Sequence, residues 1–260
     1  MKNEFALFHR DLGGAGRPPL VILHGILGSS RNWQTAGRDL AARYHVLALD
    51  LRNHGSSPHA PEMTFAAMAE DVLAWIDARG LARVTLLGHS LGGKVAMLFA
   101  CRHPERVERL IIVDIAPRDY AWAGQRAALA AMQDLDLGVL HSRAEAERRF
   151  AARVSELALR KFLATNLERS GAGDWTWLIN LPVLAAAVPA LELNSLAPGD
   201  RYGGPVLFVT GERSDYVRAA DWPAVTGHFP AATRTVIPEA GHNPHMEARE
   251  AFVAAVLKET

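Results

Sequence analysis

Ser90 is framed by Gly88-His89-Ser90-Leu91-Gly92, a G-x-S-x-G pattern that can make a nucleophile of a serine hydroxyl. Serine is a poor nucleophile at neutral pH, so it needs a base, and the base needs a carboxylate to fix its tautomer. Where strands alternate with helices, the expected chain order is serine, acid, histidine. His242, set between Gly241 and Asn243-Pro244 just past the last strand-like run, is the best placed of the 11 histidines to be that base. Two carboxylates compete for the remaining role. Asp114 closes the apolar run that follows the helix after Ser90, and Asp215 lies in the loop after Val206–Thr210. Asp114 could equally cap a turn and Asp215 could be a solvated loop charge. The residues alone leave both open. Asp50 also ends a strand, but it precedes Ser90 and is expected to be structural.

Acyl transfer also requires donors for the oxyanion of a tetrahedral intermediate. The N–H of Leu91, directly after the serine, and that of Ile26, in the turn His24-Gly25-Ile26-Leu27-Gly28, are the expected pair. His24 is expected to brace that turn and His89 to direct its ring away from the reacting face. His242-x-x-His245 has no supporting H-E-x-x-H motif or cysteine pair, and no Walker ending or G-x-G-x-x-G fingerprint occurs. No metal or nucleotide cofactor is expected.

The elements that must carry these residues follow from periodicity. Val84 to Leu87 reads as a buried parallel strand and Gly93 to Cys101 as a helix, so Ser90 sits on the tight turn between them. Further buried strands are expected at Leu20–His24 and Leu110–Val113, and strands also at His45–Asp50, Val206–Thr210 and Thr233–Ile237, with Phe5–Arg10 strand-like. Helices are expected over Asn32–Tyr44, after Thr64 as N-cap, near Ala219–Gly227 and over Arg249–Lys258. This alternation implies a mostly parallel sheet with helices on both faces. From about Pro117 to Leu196 strand signals vanish and helical ones follow one another, Ser142 and Glu145 having capping-box spacing. Residues 1–116 and 197–260 are therefore expected to form the core, and 117–196 an all-helical cap or lid. Trp122, Trp175 and Trp177 in that insertion are expected to pack a core rather than line a binding box.

Composition narrows the class. At 260 residues with 49% hydrophobic and 22% charged residues, the chain has the makeup of a globular enzyme of one large domain. Lys+Arg and Asp+Glu balance at 28 each, which offers nothing to nucleic acid or an anionic membrane. The single Cys101 excludes an internal disulfide framework, and Met1 to Glu4 lead into no signal-like apolar run. A cytoplasmic protein with a small-molecule substrate is expected; oligomeric state is not legible.

These residues bring a family into view. The chain resembles the α/β-hydrolase superfamily over its whole length, and is similar to the small YbfF-type serine esterases, whose eukaryotic relatives are also single-domain hydrolases. The likeness rests on L-H-G-I-L-G-S at 23–29, D-L-R-N-H-G-S-S-P at 50–58, M-A-E-D-V at 68–72 and G-H-S-L-G-G-K at 88–94. It continues in V-D-I-A-P-R-D-Y at 113–120, N-L-P-V-L at 180–184 and A-G-H-N-P-H-M-E at 240–247. The resemblance implies an esterase forming an acyl-enzyme on short- or medium-chain acyl esters or thioesters. It also bears on the acid: where many members place it, this chain has Ser214, and the aspartate of V-D-I-A-P implies Asp114, with Asp215 as the alternative. A C–C bond hydrolase or a cofactor-free haloperoxidase would use the same three residues. A receptor-like scaffold without turnover is a further reading of another class.

Overall fold

Apolar alternation along the parallel strands divides the core in two. The computed structural model describes residues 5–258, so Met1 to Glu4 lie outside the described residues. Its main sheet contains β1 (His9–Asp11), β2 (Pro19–Leu23), β3 (His45–Leu49), β4 (Val84–His89), β5 (Val107–Val113), β8 (Val206–Gly211) and β9 (Ala232–Ile237). Their spatial order is β1-β3-β2-β4-β5-β8-β9, with β1 antiparallel to β3 and every other pairing parallel. Successive side chains point to opposite faces. Val21, Leu86, Leu110, Ile112 and Phe208 therefore join one apolar cluster, and Ile22, Leu87, Ile111, Val113 and Leu207 the other.

Helices α2 (Phe65–Ala78) and α3 (Leu91–Arg102) cover the first face, while α1 (Gln34–Leu40) and α10 (Arg249–Lys258) cover the second. Thr64 caps α2 by accepting the Ala67 N–H at 3.1 Å, as its position predicts. The helix expected from Asn32 begins later: a 3-10 turn spans Ser30–Trp33 before α1, which stops at Leu40. The amino-terminal strand is likewise displaced, to His9–Asp11.

Between β5 and β8 run α4 (Ala123–Gln133), α5 (Arg143–Phe150), α6 (Leu157–Ala164), β6 (Leu167–Arg169), β7 (Trp175–Trp177) and α7 (Leu181–Glu192). The expectation of an all-helical insertion needs correction, because β6 and β7 form an antiparallel hairpin of their own. Three residues per strand are too few to show a two-residue period. Its turn is closed by Ser170 N–H donating to Asp174 at 2.8 Å, with Gly173 at φ +93. Ser142 caps α5 as expected, although Glu145 reaches past the N-cap to the His141 N–H at 2.9 Å. Trp122 is buried, and Trp175 and Trp177 are half-buried on β7. After β8 come α8 (Trp222–His228), β9, α9 (Pro244–Glu247) and α10.

Candidate active site

Ser90 leaves β4 at φ +51 and ψ −116, a left-handed conformation that costs a non-glycine residue on the order of 1–3 kcal/mol. The surroundings over-determine it. Ser90 N–H donates to the Val113 carbonyl at 3.1 Å and the Ser90 carbonyl accepts the Lys94 N–H at 3.1 Å. A Cβ on Gly88 would stand 2.2 Å from the Gly92 carbonyl oxygen, and one on Gly92 2.5 Å from that of Leu23. Glycine at both positions is what lets strand and helix close on the serine.

The first turn after β2 folds directly over Ser90. A Cβ on Gly25 would meet His89 Nδ1 at 2.8 Å and Ser90 Cβ at 3.3 Å. His24 braces this turn: its Nδ1–H donates to the Gly25 carbonyl at 2.8 Å and its Nε2 accepts the Leu51 N–H at 3.0 Å. His54, in the neighbouring loop, returns the clasp through Nδ1–H to the Arg52 carbonyl (2.9 Å) and Nε2 to the Leu27 N–H (3.3 Å). Burial pushes the His24 pKa down and that of His54 to about 3. Both rings stay neutral and act as fixed donor–acceptor bridges. Asp50 is structural in the same way, accepting the N–H groups of Ser30 (2.6 Å) and Ser56 (2.8 Å).

His242 follows β9 in a loop, and its Nδ1 lies 2.8 Å from Asp114 Oδ2. Asp114 is fully buried at the end of β5, where it accepts the Gly211 N–H at 3.1 Å and the Ser214 hydroxyl. Asp215 is exposed, and it is the carbonyl of this residue that receives Arg118 Nη2, at 3.4 Å. Of the two candidate carboxylates, the structure brings Asp114 to His242. His89 donates Nε2–H to the His242 carbonyl at 2.8 Å, and it also lines the cavity beside Ser90. Burial, then the nearby His242, holds the His89 pKa well below its ordinary value.

Ser90 and His242 open onto one cavity of about 770 Å³. One wall comes from the segment between β5 and β8, including Ala123, Ala128, Leu159 and Phe162; the other holds Ile26, Trp33, His245 and Glu247. Trp122, Trp175 and Trp177 are absent from this lining, whereas Trp33, which sequence reasoning passed over, stacks on His245 at 4.1 Å. Sequence reasoning also missed Tyr216, whose ring lies 3.7 Å from that of His242 and 22° from parallel. No spacing signal marks Tyr216; it is a loop residue brought in by the fold. Among the described residues, no group of three or more His, Cys, Asp or Glu side chains is arranged to hold a metal ion.

A parallel sheet whose strand ends present a strained serine, a buried aspartate and a histidine is the architecture of a hydrolase. The chain belongs to the α/β-hydrolase fold family, whose model matches residues 18–249, and it is an esterase-type enzyme. It is 36% identical over 251 residues to the mouse (Mus musculus) sn-1-specific diacylglycerol lipase ABHD11, covering 94% of this chain and 81% of that protein. To the Escherichia coli K12 esterase YbfF it is 32% identical over 240 residues, with 92% of each chain covered. A solved structure of a marine microorganism esterase superimposes with a TM-score of 0.94 at 35% identity, covering 98% of this chain and 99% of the other.

Proposed function

We propose that the chain is a serine carboxylesterase in which Ser90, His242 and Asp114 work as a unit on acyl esters of short to medium length. The observation that carries this reading is the 2.8 Å contact between His242 Nδ1 and the buried Asp114, beside a serine held at a left-handed φ. Asp114 fixes the tautomer with the proton on Nδ1, which leaves Nε2 basic towards the cavity. His242 takes the Ser90 proton as Oγ attacks the ester carbonyl, then returns it to the departing alkoxide. The acyl group stays on Ser90. Water, deprotonated by the same imidazole, then releases the acid and restores the serine.

The oxyanion donors are the N–H groups of Leu91 and Ile26. Leu91 opens α3, so its N–H has no acceptor within the helix. Around Ile26, the N–H groups of Leu27 and Gly28 are already given to His54 Nε2 and the Gly25 carbonyl. Residues 117–196 act as a cap, and the alanine, leucine and phenylalanine side chains of that wall receive the acyl chain. A cavity of about 770 Å³ holds a medium acyl chain with its alcohol, and thioesters fit the same chemistry. The names of the vertebrate relatives favour a neutral glycerol ester among candidate substrates.

The test is pre-steady-state hydrolysis of p-nitrophenyl esters from acetyl to decanoyl. A burst stoichiometric with protein is expected, with its loss in Ser90→Ala and an acyl adduct on Ser90 by mass spectrometry. Ligand-dependent thermal stabilisation with no burst would contradict the esterase reading.

A further inference from the structure

We propose that Glu247 is a positioning residue for the base, holding the backbone on both sides of His242. The kinetic part of this proposal rests on the esterase reading. Glu247 Oε2 accepts the Gly241 N–H at 2.6 Å, and Oε1 accepts the Asn243 N–H at 3.0 Å. One carboxylate thus straddles His242. The Glu247 N–H in turn donates to the Asn243 carbonyl at 2.9 Å, so backbone and side chain grip the same loop. The His242 carbonyl is taken from the opposite side by His89 Nε2–H at 2.8 Å. Three consecutive backbone residues, 241 to 243, are fixed by side chains other than that of His242.

Glycine at 241 belongs to this arrangement. A Cβ there would come within 3.0 Å of Glu247 Oε2, tighter than a carbon normally approaches. Gly211 clears the other side, where a Cβ would lie 2.0 Å from the Gly241 carbonyl oxygen. His242 itself belongs to no strand or helix, so regular hydrogen bonding does not hold it. Its imidazole must nevertheless keep Nδ1 on Asp114 and Nε2 towards Ser90, within about 0.5 Å and 10–20° of a productive pose. A misplacement of about 1 Å costs on the order of 100-fold in rate. A carboxylate makes two charge-assisted acceptor contacts; an amide at the same place has one acceptor oxygen and turns an NH2 towards the other N–H.

The experiment compares wild type, Glu247→Gln and Glu247→Ala in ester turnover, normalised to active sites titrated by the burst. Turnover per titrated site is expected to fall about tenfold in Glu247→Gln and about 100-fold in Glu247→Ala, with KM within about twofold. A second readout needs no turnover: the low-field proton resonance of His242 Nδ1–H should broaden or vanish in both variants. Loss of titratable sites, with normal turnover and an unchanged resonance in those that remain, would make Glu247 merely structural and overturn the proposal. Turnover within twofold of wild type in Glu247→Ala would do the same. Should Glu247→Ala not fold, Glu247→Gln alone decides by the same two readouts. If wild type shows no Ser90-dependent turnover, the esterase reading fails, and the resonance by itself supports or overturns the positioning role.

Discussion

Asp114 combines a backbone at φ +50 with a side chain fully removed from solvent, two costs that an ordinary turn cap would not bear together. What offsets them is a full set of donors: the Gly211 N–H, the Ser214 hydroxyl and His242 Nδ1–H. Ser214 stands where many relatives of this fold were expected to carry the acid, and here it serves the aspartate from β5 instead. Ser214→Ala should leave Oδ2 short of one charge-assisted bond, worth about 1.5–3 kcal/mol, and lower kcat roughly tenfold or more. Steady-state kinetics with unchanged KM would check this. At this scale the serine and histidine were legible because glycine flanks and chain order constrain them. Asp114 and Asp215 were not separable from the residues alone, because distance to an imidazole on another strand is not written in local spacing. Tyr216 and Glu247 were illegible for the same reason: each meets His242 only after the loops fold.

At the scale of elements, Lys94 links the helix that carries the serine to the segment proposed as a cap. Its ammonium is buried and donates to the carbonyls of Leu191 (3.0 Å), Glu192 (3.1 Å) and Leu193 (2.6 Å), at the carboxyl end of α7. The rings of Phe65, Tyr120 and Trp122 lie 5.2–5.3 Å away, so a cation at a helix C-terminus is also caged by π-faces. Burial pulls its pKa down to about 7, against the nearby negative charges of Asp119 and Glu192. Tyr120 and Trp122 lie where the chain leaves the core, and Leu191 to Leu193 where it returns. Lys94→Met is expected to destabilise the protein by about 3 kcal/mol, since three backbone carbonyls, that of Leu191 buried, lose their donor. Faster amide exchange at 190–195 and faster proteolysis within 117–196 would show it; protection equal to wild type would contradict it. The buried strands and α2 were readable from periodicity and capping. The β6–β7 hairpin was not, since three-residue strands carry no period.

At the scale of the molecule, several buried histidines make stability depend on acidity. Burial holds His54 and His245 at about 3, and keeps His24 and His89 below their ordinary values. A neutral native histidine opposes a protonated one in the unfolded chain, so stability is complete above about pH 6.5 and is lost progressively towards pH 3. Each such group removes up to about 1.4 kcal/mol per pH unit in that window. Thermal unfolding should show Tm lower by up to roughly 15 °C at pH 5 than at pH 7, and a flat profile would contradict this.

The same whole-molecule view sets the decisive comparison, because the proposed nucleophile, acid and base come from the ends of β4, β5 and β9 and meet only when the sheet is complete. Ester turnover by Asp114→Asn and Asp215→Asn, measured beside wild type, tests that convergence most directly. Asp114→Asn should lower kcat by about 10⁴, the loss typical when such a histidine is left in the wrong tautomer, while Asp215→Asn stays within about twofold of wild type. Abolished turnover in Asp215→Asn with near-normal turnover in Asp114→Asn would contradict the account.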